Sequence, residues 1–159
     1  DAFARLTAAA TVAETTKDGV SILSASAPGG EIVPFEDPAL AEGVCLFDLS
    51  RGLLRVRANA DAENFLGLSF HARTGRVFHA MTDRSAIKGK IDIVVGDAHQ
   101  IEALESEDED TPTQEVRVTS PTKHGFVLIR SLAKRATDRE RAEQRVRAVA
   151  CQSVSEPQS

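Results

Sequence analysis

The feature that most constrains the fold of this chain is a period of two in its apolar residues. In the run 53–58 (LLRVRA), apolar side chains alternate with Arg55 and Arg57. Successive side chains of a β-strand point to opposite faces, so the run predicts a strand with one buried and one wet face. A short extended piece is also possible at 20–23. Further strands are predicted, mostly between turn-forming residues, at 44–49, 65–73, 76–82, 90–96, 114–120 and 125–131.

Helices are predicted near the two ends of the chain. The segment 1–16 has apolar residues at helical spacing, and Thr137 with Glu140 forms a capping box for a last helix that runs to the second cysteine. About seven strands with N- and C-terminal helices predict an α+β fold, with a mainly antiparallel sheet or sandwich. We expect a single domain over residues 1–152 and a flexible tail over 153–159.

Composition excludes several classes of protein. Of 159 residues, 42% are hydrophobic, which suits one domain with a packed core. The chain has seven Phe but no Trp or Tyr, and its net charge is −5. Sites for single-stranded nucleic acid stack bases on exposed aromatic side chains, and nucleic-acid binders neutralise phosphates with Lys and Arg. We therefore expect no nucleic-acid partner. The sequence contains no run of about 18 apolar residues, so it predicts no membrane-spanning helix.

The two cysteines, Cys45 and Cys151, leave two interpretations open. They form no CxxC pair, and no set of zinc ligands at tight spacing accompanies them. They could be two buried free thiols, because an unpaired cysteine behaves as a small apolar residue. They could instead form a disulfide between the first strand and the end of the last helix, which would require an oxidising compartment.

The segment SFHARTGRVFHA at 69–80 predicts a hairpin around an Arg-Thr-Gly turn. A two-residue turn would force Thr74 to a positive φ, which is costly for a β-branched residue. A type I turn followed by a G1 bulge at Gly75 fits better. In that register Phe70 faces Phe78, and both Phe side chains point into the core.

The same register predicts a candidate metal site. His71 and His79 would share the face opposite to the Phe side chains, as diagonal neighbours. Asp83, on the following segment, is the nearest third ligand. Because a metal site normally needs three or more convergent ligands, two unliganded surface histidines are the favoured interpretation. A metal site at His71, His79 and Asp83 is the alternative.

No catalytic set is readable in the chain. Ser69 and His71 share one strand face, but no orienting acid or oxyanion hole accompanies them at a readable spacing. The nucleophile motifs GxSxG and SxxK are absent, and so are the glycine-rich loops that bind phosphates. We therefore predict no catalytic residues, no cofactor and a non-enzymatic protein.

Two segments are dense in charge. The acidic run 105–110 is typical of a solvated loop and lacks the spacing of an EF-hand. The segment 134–147 is rich in Lys and Arg, diluted by acidic residues. A solvated face of an amphipathic helix is the favoured interpretation, and contact with anionic lipid headgroups is the alternative. The basic residues are Lys134, Arg135, Arg139, Arg141, Arg145 and Arg147.

Several short motifs together resemble a known family. They are the cysteine before FDL at 47–49, the Arg-Thr-Gly hairpin, TDR at 82–84, GKID at 89–92, GFVLIR at 125–130 and the final cysteine. In these motifs the chain resembles a family of short, uncharacterised alphaproteobacterial integral membrane proteins. That family is related to the first of two tandem domains of unknown function in larger bacterial proteins. DAFARL at 1–6 resembles the segment that follows the family's N-terminal transmembrane helix.

The resemblance implies a location and a kind of function. It implies a single-pass N-terminal anchor in the bacterial inner membrane, with the domain in the periplasm. There Cys45 and Cys151 would oxidise, so we adopt the disulfide interpretation. The family brings no established activity, and we expect a non-enzymatic protein that contacts another envelope protein. The alternatives are a small-molecule or lipid-binding module and a metal-dependent hydrolase.

Overall fold

The computed structural model describes residues 2–12, 15–23, 40–60, 65–107 and 115–154, which form three helices and nine strands. In chain order the elements are α1 (Ala2–Val12), β1 (Ser21–Leu23), β2 (Leu40–Asp48), β3 (Leu53–Asn59), β4 (Leu66–Ala72), β5 (Val77–Thr82), β6 (Lys90–Gly96), α2 (Ala98–Glu107), β7 (Val116–Thr119), β8 (His124–Leu132), α3 (Arg139–Arg147) and β9 (Ala150–Val154). Short 3₁₀ turns precede β3 and α3, and another follows β5.

The strands form two sheets that pack face to face. The larger sheet has the strand order β1-β2-β8-β4-β5, and the smaller has β7-β6-β3-β9. One core cluster contains Phe70 and Val127 from the larger sheet together with Val56 and Ile93 from the smaller. All strand pairs within these sheets are antiparallel except β6 with β7, which follow each other through α2 and are parallel. The predicted α+β fold with mainly antiparallel strands is confirmed.

The larger sheet is buried on both faces at β8, its central strand. Val127 and Ile129 belong to the core between the sheets. Their neighbours Phe126 and Leu128 point the other way and form a second cluster with Leu6 of α1. Helix α1 therefore covers part of the outer face of this sheet. This explains why the sequence of β8 is a continuous apolar run and not an alternating one.

The outer face of the smaller sheet carries paired charges, as the alternation in β3 predicts. Arg55 donates hydrogen bonds to both carboxylate oxygens of Asp92 on β6, at 3.0 and 2.8 Å, and its Nη2 lies 3.2 Å from Oε2 of Glu115. Nε of Arg57 lies 3.5 Å from Oδ1 of Asp92, and Nη2 of Arg117 lies 3.0 Å from Oε1 of Glu115. The hydrogen bond from Arg55 holds the pKa of Asp92 below its ordinary value. These three arginines therefore have carboxylate partners within the domain.

The C-terminal end differs from the sequence prediction. Helix α3 ends at Arg147 and does not reach Cys151, and the chain continues as β9, which pairs with β3. In this register Cys151 lies opposite Val56. The strand passes the predicted domain end at 152 and stops at Val154. The rest of the predicted tail lies outside the described residues. The sequence of β9 is short and has no clear alternation, so pairing with β3 decides its conformation.

Helix α3 packs closely on the inner face of β2. Its Ala142 and Val146 are fully buried in the main core. A Cβ atom at Gly43 would lie 2.6 Å from Cγ1 of Val146 and 2.8 Å from Cγ1 of Val20. Glycine at this position therefore allows the helix to approach the backbone of the sheet. This close packing places the polar side of α3 at the end of β8.

Candidate functional site

Cys45 and Cys151 form a disulfide that joins the two sheets. Cys45 lies in β2 and Cys151 in β9, their Cα atoms are 6.5 Å apart, and 106 positions separate them in the sequence. Both side chains are buried. The disulfide interpretation is confirmed, although the bond joins two strands and not a strand and a helix. Disulfides persist in oxidising environments, so the bond indicates a compartment outside the cytoplasm.

The turn of the histidine hairpin forms as predicted, but its register shifts further along. Gly75 has φ +94°, and its N–H donates to the carbonyl of Ala72 at 2.9 Å. His71 pairs with Val77, whereas Phe70 pairs with His79. Phe78 is therefore the extra residue of a second bulge. The predicted pairing of Phe70 with Phe78 is wrong, because nothing local in the sequence signals this bulge.

The shift places the two histidines on opposite faces of the sheet. Residues that pair directly share a face, so His79 lies on the face of Phe70, with ring centroids 5.6 Å apart. His71 lies on the other face, where its ring stacks on Phe126 at 4.5 Å between centroids. The two imidazoles therefore do not approach one metal ion from the same side.

His71 is held by two hydrogen bonds as well as by the stack. Its Nδ1 lies 2.9 Å from the carbonyl oxygen of Gly75, and its Nε2 lies 2.7 Å from Oγ of Ser69. A carbonyl oxygen only accepts, so Nδ1 carries the proton and Nε2 accepts from the Ser69 hydroxyl. Both ring nitrogens are thus used within the hairpin. Burial lowers the pKa of His71 more than the bond to Gly75 raises it.

The structure does not bring the three predicted metal ligands together. Asp83 begins a 3₁₀ turn after β5, and His71 and His79 are separated by the sheet itself. Across residues 2–12, 15–23, 40–60, 65–107 and 115–154, no group of three His, Cys, Asp or Glu side chains is placed to hold a metal ion. The hairpin is a packing element in which the histidines contact aromatic rings.

We expect the free energy of unfolding to fall as the pH drops below about 6.5, the ordinary pKa of histidine. Burial holds the pKa values of His71 and His79 below that value, so in this range the unfolded chain binds protons that the folded chain does not. Denaturant unfolding at about pH 7.5 and about pH 5.5 measures the loss. The variant His71→Gln should show a smaller loss than the wild type. An equal loss of unfolding free energy in both proteins would contradict the assignment of this pH dependence to His71.

A cleft opens beside α3, where β8 ends and β4 begins. Its volume is about 390 Å³, and we call it the cationic groove. Two apolar side chains and five charged ones line it: Phe65, Leu132, Lys134, Arg135, Asp138, Arg141 and Arg145. Such a volume lies within the range of about 300–1,000 Å³ that is usual for ligand sites. The groove combines positive charge with apolar surface.

A chain of hydrogen bonds fixes one side of the cationic groove. Arg145 donates from Nε to Oγ of Ser131 at 2.7 Å and from Nη2 to the carbonyl of Leu132 at 3.1 Å. Ser131 in turn donates to the carbonyl of Phe65 at 2.9 Å. These bonds connect α3, β8 and the residue before β4. The guanidinium of Arg145 is therefore held in place before any ligand arrives.

The charges of the cationic groove are unbalanced. Asp138 is the one carboxylate among its lining residues, and its Oδ2 lies 3.3 Å from Nε of Arg135. Lys134 and Arg141 make no ion pair with another residue in the described part of the chain. Arg55 and Arg57 on the smaller sheet have such partners. A positive groove on a chain with net charge −5 favours an anionic occupant.

The basic residues of the groove are visible in the sequence, but the groove itself is not. The density of Lys and Arg at 134–147 is the available signal, and by itself it predicts a solvated helix face. Lys134 and Arg135 lie before α3, and Phe65 is remote in sequence. Only the packing of α3 beside β8 brings these side chains together.

Comparisons with other proteins found similarity in structure but none in sequence families. No protein-family model matches the chain, and no curated protein sequence matches it. Its structure is similar to that of the VPA0106 protein from Vibrio parahaemolyticus, with a TM-score of 0.57 and 11% identity over 79% of this chain and 32% of that one. An uncharacterised protein from Burkholderia cenocepacia has a TM-score of 0.48 and 14% identity over 85% of this chain and 37% of that one.

The comparison with the Vibrio protein shows a shared fold, and both comparisons give the relative lengths of the chains. At 11% identity the likeness to the Vibrio protein shows the fold alone. The chain spans about one third of the length of each of the two larger proteins. Among the described helices, none combines the length and apolarity needed to cross a bilayer. The fold and the disulfide together define the class of this protein: an α+β domain of two sheets that are joined by a disulfide.

Proposed function

We propose that this chain is the periplasmic domain of a membrane-anchored envelope protein and that it binds another envelope protein without catalysing a reaction. The observation that carries the proposal is the cationic groove. Arg and aromatic side chains are enriched where protein interfaces concentrate their binding energy. The groove presents both, with Phe65 40% exposed beside Arg141 and Arg145.

Two further observations support the location. The buried Cys45–Cys151 bond requires an oxidising compartment, which the periplasm of bacteria provides. The resemblance to inner-membrane proteins supplies the N-terminal anchor.

A binding module for a small molecule or lipid is the second candidate function. The volume of the groove, about 390 Å³, favours it, because an acyl chain or a small anion could occupy this space. A metal-dependent hydrolase at His71, His79 and Asp83 is not proposed, since the sheet separates the two imidazoles.

Photocrosslinking in living cells tests the proposed function. The full-length protein would carry a photoreactive phenylalanine analogue in place of Phe65, and a control would carry it in place of Arg57 on the outer face of the smaller sheet. We expect a discrete protein adduct from position 65, none from position 57, and loss of the adduct in the variant Arg141→Glu. A lipid adduct would favour the second candidate, and no adduct would contradict both.

A further inference from the structure

We propose that the cationic groove binds a partner segment in which an apolar side chain lies between carboxylates. The inference rests on the proposed function, because it specifies the partner of the same groove. Its first support is charge. Lys134, Arg135, Arg141 and Arg145 line the groove with one carboxylate, Asp138, among them. A segment with several carboxylates would balance this excess.

Arg145 supplies the fixed contact. Its hydrogen bonds to Ser131 and Leu132 use part of the guanidinium and hold the group in position. The other N–H groups of a guanidinium fit a carboxylate in a bidentate arrangement. A side chain that is ordered before binding loses less conformational entropy when the ligand arrives. Arg145 is therefore suited to anchor a carboxylate, whereas exposed Arg141 and Lys134 add charge around it.

The apolar part of the groove explains why the segment needs an apolar side chain. A Cβ atom at Gly67 would lie 3.0 Å from Cζ of Phe65, so the Phe65 ring packs against the Gly67 backbone. The residue Phe65 is still 40% exposed, and Leu132 lines the groove with it. An inorganic anion would leave this surface in water. A segment with an apolar side chain would cover it and gain free energy in proportion to the apolar area buried.

The shape of the site favours a protein segment over a membrane surface. A planar bilayer contacts residues that protrude, whereas the partly buried Arg145 and Leu132 lie in a recess of about 390 Å³. A loop or chain end of a partner protein can enter such a recess and bring carboxylates and an apolar side chain to opposite parts of it.

Fluorescence anisotropy with labelled peptides, and calorimetric titration with the unlabelled phosphate and vesicles, test the inference on the purified oxidised chain. The probes are the end-blocked peptides EEFEE and EELEE, the control peptide EEGEE, inorganic phosphate and phosphatidylglycerol vesicles. We expect EEFEE and EELEE to bind, EEGEE to bind at least about fivefold more weakly, and affinity to fall as ionic strength rises from about 0.01 M to about 0.15 M.

Matched variants locate the binding. Arg145→Gln and Arg141→Glu should each weaken EEFEE binding about tenfold or more. Arg84→Glu makes the same charge change as Arg141→Glu at an exposed site outside the groove, and it should leave binding unchanged. Because Arg141 is exposed, its variant tests the inference even where Arg145→Gln fails to fold.

Several outcomes would overturn the inference. Equal affinity for EEGEE and EEFEE would remove the apolar requirement. Binding of vesicles or phosphate without binding of peptides would assign the groove to another ligand. If no peptide bound at concentrations up to about 1 mM, the proposal that the groove binds an acidic segment would be rejected. A protein adduct at Phe65 in cells without peptide binding would overturn this inference alone. Absence of that adduct would overturn the proposed function as well.

Discussion

Replacing Cys45 and Cys151 together by alanine is expected to lower the free energy of unfolding by about 2–5 kcal/mol. The bond spans 106 positions, and the chain-entropy account assigns about 4.7 kcal/mol to a closed loop of about 100 residues. It acts mainly by restricting the unfolded chain. It also ties β2 of the larger sheet to β9, an edge strand of the smaller one. Denaturant unfolding of the oxidised wild type and the double variant, followed by circular dichroism, measures the difference.

Reduction provides the control for this prediction. The wild type in a strong reductant should unfold at nearly the same denaturant concentration as the variant with Cys45→Ala and Cys151→Ala. The reductant should leave the variant itself unchanged. If the wild type kept its oxidised midpoint after mass spectrometry showed two free thiols, the bond would not stabilise the domain and the prediction would fail.

The variant Phe70→Ala should lose about 3–5 kcal/mol of unfolding free energy. The Phe70 side chain is completely buried between the sheets, and its ring lies 6.3 Å from that of Phe78 and 5.6 Å from that of His79. Removing it takes apolar surface from the core and leaves a cavity that the two sheets cannot close, because the disulfide and the neighbouring strands hold them in place. Equilibrium unfolding in urea measures the loss.

Phe65→Ala is the matched control, because it makes the same chemical change at a site that is 40% exposed. Its unfolding free energy should stay within about 1 kcal/mol of the wild type. The same variant should lose affinity for EEFEE, since its ring lines the cationic groove. Similar destabilisation by Phe65→Ala and Phe70→Ala would show that the two rings are not placed as described.

Much of the fold could be predicted because its signals are local. The alternation in β3 places Arg55 and Arg57 on a wet face, where they pair with Asp92. Gly75 adopts the positive φ that the Arg-Thr-Gly turn requires. These features depend on side chains a few positions apart, whose direction and backbone preference are set by local geometry.

The differences between sequence prediction and structure have a common physical cause. The sequence predicts the end of a helix and a tail where the structure has β9, because the five residues of this strand find their hydrogen-bond partners only in β3. The bulge at Phe78 moved His79 to the core face, because packing between the sheets outweighs the register set by the turn. The cationic groove forms only because the fold brings Phe65 and Arg145 close together, and no local sequence pattern predicts this proximity.

Local sequence is enough to specify which segments become most of the strands and helices, which faces are apolar, and that two cysteines are available. Periodicity and turn residues are sufficient for these, since they express burial and backbone sterics within each segment. Three features follow from the packing of distant segments: Cys45 reaches Cys151, the two histidines lie on opposite faces, and basic side chains gather beside Phe65. Each of these depends on how the two sheets and α3 stack, which contacts between distant segments determine.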